Sequence, residues 1–301
     1  MEKVLGANQI QPTVINDPRF RAGRKLIQEG KAHCGAVNMF AVLSEETVAQ
    51  FGDQSVEAAT AMYEYGNALF SAIRRREIDE KETDADAKIK AEGQSNSKKP
   101  KVNGSDSREE AVKVDHKVND EEDLQLAQQL METSLAIHEH YVEQKKATRT
   151  ENLDTKTKES PISNKESECY LEWSCQEIPR ILTGLGDICT FKKRFADAFN
   201  SYLQAIPLRE ASLKEERDMY EATSTVTRNL LMMQRHAVEI NVLAAEALLS
   251  CPSEKDIVPS TTNDILLKGG QIIDFVNEYY QKARAGLQEI GTFYYILSSS
   301  N

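Results

Sequence analysis

Apolar residues along this chain recur at helical spacing, in stretches broken by turns and polar tracts, and strict period-two alternation never persists beyond a few residues. Residues 1–16 read as a loose leader. Asp17 followed by Pro18 marks a helix start, an N-cap acceptor ahead of a residue whose missing N–H does no harm. Phe20, Gly23, Leu26 and Ile27 form one stripe, Gly30 closes it, and Ala36, Val37, Phe40 and Leu43 form the returning one, so residues 19–50 predict a helical hairpin. A third helix runs from about Ser55 to Arg76, with Ala58, Ala61, Met62, Tyr65, Gly66, Leu69 and Phe70 on its packing side. Another amphipathic helix spans 124–146. Further on, Glu210 to about Ser250 reads as helical, with Leu230, Leu231, Met232, Met233, Ile240, Leu243, Ala244 and Leu248 apolar and both methionines assigned to the core. A loop holding Cys251, Pro252, Ser253 and Pro259 precedes the last helix, about Asn263 to Ile290, with Ile265, Leu266, Ile272, Phe275, Tyr279 and Ala283 at helical spacing. Gly291 ends it, and the apolar FYYIL that follows packs back as a cap. The predicted fold is all-helical.

The most informative stretch is Leu182 to Ala205. Leu182, Leu185 and Gly186 are followed by Cys189, Phe195, Ala198, Tyr202 and Ala205, the spacing of a tetratricopeptide repeat (TPR). Gly186 and Ala198 are small so that two antiparallel helices approach closely, while Phe195, Tyr202 and the leucines fill the space beside them. One such pair cannot bury its own apolar face, so neighbours must stack on it. Between Ile78 and Asp123 the character changes: no Leu, no Phe, Tyr or Trp, and 14 Asp and Glu against 9 Lys and Arg. Such a segment cannot bury enough apolar surface to offset its ordering entropy, so it reads as a disordered insertion. It ends in Asp120, Glu121, Glu122 and Asp123, at the expected N-terminus of the 124–146 helix, where the dipole favours acids. The resulting organisation is an all-α helical-hairpin solenoid: a leader over 1–16; repeat 1 and the first helix of repeat 2 over 17–77; the insertion over 78–123; the second helix of repeat 2 over 124–146; a linker over 147–167; repeat 3 over 168–215; a degenerate repeat 4 and capping helix over 216–292; and a tail over 293–301.

Charge and thiols narrow the function. A formal net charge of -11 and a pI near 5.1 repel phosphate and attract Lys- and Arg-rich partners, which disfavours direct nucleic-acid binding. Cys34, Cys169, Cys175, Cys189 and Cys251 are odd in number, widely spread and without a CxxC pair, as expected of reduced thiols inside a cell. No signal-peptide pattern and no run of about 18 apolar residues occurs, so a soluble intracellular protein without a membrane partner is expected.

The chain resembles the SHNi-TPR histone chaperones, the family of the nuclear autoantigenic sperm protein. Gly23, Lys25, Leu26 or Ile27, Gly30, Ala36-Val37-Asn38-Met39-Phe40, Phe51-Gly52, Glu57, Ala61 and Tyr65-Gly66 are similar to the family's first repeat and the start of its second. The insertion falls where the family splits its second repeat, and Leu185-Gly186-Asp187 looks like its third. The matches cover roughly 19–146 and 170–215, and the interrupted second repeat is the most specific. The chain departs from the family in a turn one residue longer between Gly30 and Ala36, a milder acidity of the insertion, and a long 250–262 loop in the fourth repeat.

The resemblance implies a nuclear chaperone holding histone H3, alone or with H4, for histone storage, transport and chromatin assembly, with other chromatin-assembly factors as further partners. It has no enzymatic activity and no cofactor; whether it forms a homodimer stays open. A receptor for histones needs carboxylates placed to meet Lys and Arg. In stacked hairpins the first helix of each repeat lines the groove, which projects Phe20, Ile27, Tyr63, Glu64, Asn67, Phe70, Glu177, Arg180, Asp187 and Phe191 inward, beside the acidic run Asp120, Glu121, Glu122 and Asp123. Lys98, Lys99, Pro100 and Lys101 resemble a basic nuclear import signal.

Other classes fit less well. A TPR co-chaperone clamping an acidic heat-shock tail needs donors where this chain has Phe20 and Arg24, Tyr63 and Asn67, and Thr183 and Asp187; Asn67 fits and Asp187 repels. A TPR scaffold for another basic or helical partner remains the alternative. His138 and His140 are two apart, about 200° round a helix, so they cannot share a metal. Neither a nucleophile elbow nor a phosphate-cradling glycine loop is present. Lys192-Lys193-Arg194 reads as a solvated hairpin tip.

Overall fold

The computed structural model describes residues 13–93, 107–154, 161–223, 225–251 and 269–299. Among them are eight α-helices and no strand: α1 Pro18–Gln28, α2 Val37–Phe51, α3 Val56–Gly93, α4 Ser107–Asp154, α5 Pro161–Phe191, α6 Phe195–Thr223, α7 Arg228–Ser250 and α8 Gly269–Ser299. Helices pack on their chain neighbours, α2 on α3, α5 on α6, α6 on α7 and α7 on α8, as in a helical-repeat solenoid. None is long and apolar enough to cross a membrane. The chain divides into two compact units, one over Gln11–Ile137 and one from His138 to the C-terminal helix, and α4 contributes to both.

In the first unit, Asp17 caps α1 by accepting a 2.8 Å hydrogen bond from the Arg19 N–H, with Pro18 at the first position. Gly30 (φ 70°) closes the helix: its N–H donates to Ile27 and that of Lys31 donates to Leu26, a Schellman arrangement. A wide turn over Ala32–Ala36, with Gly35 at φ 116°, leads into α2. Phe20 and Phe40 meet edge to face at 5.7 Å in a core with Ala36, Leu43, Ala61 and Ala68. On α3, Gly66 lies against α4, where a Cβ would stand 2.8 Å from the Ala127 carbonyl oxygen. Seven residues further along each helix, the Ser134 hydroxyl donates to the Ala59 carbonyl at 2.7 Å.

In the second unit, Gly186 of α5 is covered by the ring of Tyr202 from α6, and Ala198 and Ala205 are fully buried. The small-and-large spacing thus produces the close approach expected of it. The turn between these helices places Lys193 at φ 59°, with the Lys193 N–H donating to Thr190 and the Arg194 N–H to Cys189. Phe199 and Tyr279 (6.2 Å), and Tyr220 and Phe293 (5.4 Å), tie α8 to α6, while Gly286 seats α8 against Val238 of α7.

Five expectations change. Residues 13–16 of the leader form a 3-10 turn with Val14 buried, because an apolar residue preceding an N-cap is drawn onto the core. The segment read as disordered carries helix at both ends, α3 continuing to Gly93 and α4 beginning at Ser107. Where α3 runs on past Arg74 into this stretch, the i,i+4 pairs of Arg75 with Asp79 and Lys81 with Glu77, each 2.8 Å, support its exposed turns. Asp120–Asp123 therefore lie well inside α4 and do not cap it, and α4 extends to Asp154 into the linker. The single helix expected from Glu210 to Ser250 is broken after Thr223. The Thr225-Val226-Thr227 run is a poor helix interior, and Thr227 recaps the chain by accepting from the Leu230 N–H at 2.9 Å, which leaves Met232 exposed and Met233 half-buried. Finally, α8 passes through Gly291 to Ser299. Phe293 reaches the core as part of that helix, since glycine stops a helix only where the residues after it cannot continue the apolar stripe.

Candidate functional site

Of the carboxylates singled out from the sequence, Glu64, Asp120, Asp123 and Glu177 are met by arginines of their own chain, Glu121 and Glu122 are exposed, and Asp187 takes a tyrosine hydroxyl. On α1, Phe20 and Arg24 stand one turn apart, and the Arg24 guanidinium lies 4.7 Å from the Phe20 ring centroid. From there it reaches Glu64 of α3, with Nε to Oε1 at 2.7 Å and Nη2 to Oε1 at 2.5 Å. The Glu64 side chain is wholly buried, 0% exposed, so this pairing is what lets a carboxylate occupy that position. Tyr63 and Phe70 are buried as well, the latter under Arg74 at 5.6 Å; Ile27 and Asn67 are half-buried.

Arg76 of α3 holds the acidic run. Its guanidinium pairs with Asp120 and stands 3.6 Å from Asp123, two residues that share a face of α4 at i,i+3 spacing. Glu121 and Glu122 point to solvent. Burial first, then the charges of Asp123 and Glu45, push the Tyr65 hydroxyl above its ordinary range.

In the second unit Glu177 is buried and takes Arg180 of the same helix at 3.0 and 3.2 Å. One turn earlier Ser174 is fully buried against His138 of α4, Oγ to Nδ1 at 3.0 Å. Burial lowers the His138 pKa to about 4 against a weaker opposing pull from Glu177, so the imidazole is neutral at pH 7. Both side chains are sealed from solvent, and the pair pins two helices without offering a nucleophile. His140 is exposed on the other side of α4, bonded to Gln144, which separates the two histidines as expected. Asp187 accepts the Tyr202 hydroxyl at 2.8 Å, and burial together with Asp187 pushes Tyr202 far up. Phe191 is half-buried, and Lys98–Lys101 lie outside the described residues.

Sequence reasoning projected Phe20, Tyr63, Glu64, Phe70 and Glu177 into an open groove, whereas all five are buried among the helices, and it missed the arginines that hold the carboxylates. Arg24 was visible one turn after Phe20, and Arg76 ends the run Arg74-Arg75-Arg76, yet neither signal names a partner 40 or more residues away. Chemically, the exposed part of the arrangement is acidic: Asp120 and Asp123 around one guanidinium, with Glu121 and Glu122 facing solvent beside them. No group of His, Cys, Asp and Glu among the described residues is arranged to hold a metal ion. In comparison with known proteins, no family model matches the chain and no curated protein matches it significantly.

Proposed function

We propose that this protein is a histone chaperone: a TPR-type solenoid of the SHNi kind, acting in the nucleus, that binds H3 or H3–H4 through carboxylates on its repeat helices and performs no chemistry on them. The observation carrying this reading is the charge arrangement of the first unit. Asp120 and Asp123, beside the exposed Glu121 and Glu122, form acidic positions that already hold a guanidinium group. A site that accommodates its own arginines is built for the arginines of a basic helical partner. The co-chaperone alternative gains nothing here, because Arg24, the cation at its clamp positions in the first repeat, is engaged by Glu64.

Titration of the purified protein against H3–H4 at physiological salt, beside a heat-shock tail peptide and a lysine polymer, tests the reading. Saturable binding of H3–H4 in preference to both controls is expected. Replacing the acidic run (Asp120→Asn, Glu121→Gln, Glu122→Gln, Asp123→Asn) should weaken histone binding roughly fivefold, about 1 kcal/mol, with the helical signal unchanged. Histone binding no tighter than binding to the lysine polymer overturns it.

A further inference from the structure

We infer that the second unit carries a basic docking patch for an acidic peptide segment, built from Arg180 of α5, Arg209 of α6, and Arg235 and His236 of α7. The patch belongs to the second unit alone and does not depend on the histone reading of the first.

Three observations carry it. The first is position. Tyr202 lies over Gly186, and counting outward from that contact along both helices brings Arg180 level with Leu208 and so beside Arg209. Both guanidiniums act on His236 of the next helix, as does its neighbour Arg235, so basic side chains from three successive helices converge on one imidazole in a chain whose net charge is -11. Second, the resident acids do not cover this charge. Buried Glu177 takes Arg180 at 3.0 Å, whereas Arg235 is exposed and makes no ion pair among the described residues, although Glu239 stands one turn along its own helix. Third, His236 Nδ1 is buried without a hydrogen-bond partner, and burial together with Arg209, Arg180 and Arg235 holds its pKa down to about 4, as a positive potential left uncancelled does. A carboxylate laid against the patch meets the Arg235 fork and relieves the repulsion that keeps His236 neutral.

The ligand is a short acidic peptide rather than nucleic acid. A DNA duplex carries one charge per ~1.7 Å of its axis and would run on across the acids that dominate this chain. A peptide brings a few carboxylates on flexible stems, and at ~0.1 M salt a screening length of about 10 Å shields it from acids further off.

The test titrates the full chain with labelled hexaglutamate, hexaglutamine and hexathymidylate at ~0.1 M salt, while proton resonances of the histidines are followed. Hexaglutamate should bind and hexaglutamine should not. Arg235→Gln should weaken hexaglutamate roughly fivefold, and Arg235→Lys, which keeps the charge in place, should retain most of the affinity. Arg284→Gln, which removes an exposed arginine from α8, should change little. Saturation with hexaglutamate should move the His236 titration to higher pH, because a carboxylate nearby favours the imidazolium; a role confined to packing would leave it still. His236→Gln identifies that resonance among the five histidines. Equal binding of hexaglutamate and hexaglutamine, equal losses from Arg235→Gln and Arg284→Gln, an unmoved His236 titration, or tighter binding of hexathymidylate than of hexaglutamate overturns the inference. If Arg235→Gln loses its helical signal, the His236 shift in the parent chain decides. None of these outcomes bears on H3–H4 binding, which is measured separately.

Discussion

His138 shows how much one buried side chain makes of a fold. Its ordinary pKa of 6.5 drops to about 4, chiefly because burial disfavours the imidazolium. Between those values the unfolded chain holds a proton that the folded chain does not, so stability rises with pH across that window. The contribution is complete above about pH 6.5 and has fallen by about 3 kcal/mol when the pH reaches 4. Urea unfolding followed by circular dichroism should therefore show a lower midpoint at pH 5 than at pH 7.5. His138→Gln should be the less stable protein at pH 7.5, through lost packing, yet lose less on acidification. Some slope will persist in it, because burial, Arg209, Arg180 and Arg235 hold His236 down to about 4 as well. The sequence showed that His138 and His140 point apart on a helix, and so they do. It could not show that His138 meets Ser174, because that contact joins residues 36 apart on two different helices.

Within the helices, glycine has two opposite uses. At Gly186 a methyl group would enter the Tyr202 ring, and that ring cannot swing away freely, since its hydroxyl is held by Asp187 and lies 3.3 Å from Thr190. Gly186→Ala gains about 1 kcal/mol of helix propensity and loses more to overpacking, for a net destabilisation of about 1–2 kcal/mol. At Gly291 nothing lies within 4 Å and the residue is exposed, so Gly291→Ala should stabilise by up to about 1 kcal/mol. Thermal melts of the two variants should move in opposite directions. The first role was legible, because a small residue spaced against Ala198 and Tyr202 has a packing reason. The second was misread as a stop, since propensity alone cannot see Phe293 anchoring the next turn in the core. Helix in the charged stretch after Arg76 escaped notice for a related reason. Composition reports that a segment has nothing to bury, whereas ion pairs along one helix need nothing buried.

Over the whole chain, stability passes between adjacent helices, and a terminal helix carries as much weight as a central one. α8 buries Val276, Tyr279, Ala283 and Phe293, and its loss uncovers Phe199, Tyr220 and Leu230. A chain ending at Ser250 should melt some 10 °C or more below the parent, or aggregate, as followed by calorimetry and light scattering. At this scale the all-helical class was legible from spacing alone, and the net charge of -11 was legible as a sum. How that charge is spent was not, because pairing depends on which helices meet. Glu64 is the clearest case: a carboxylate stripped of water with no counter-charge costs several kcal/mol, and Arg24 spares the protein that cost when nothing else is bound. With Arg24 in place the folded chain holds no naked charge at this position, and α1 cannot part from α3 without stranding Glu64, so the pair works as a latch between the two helices.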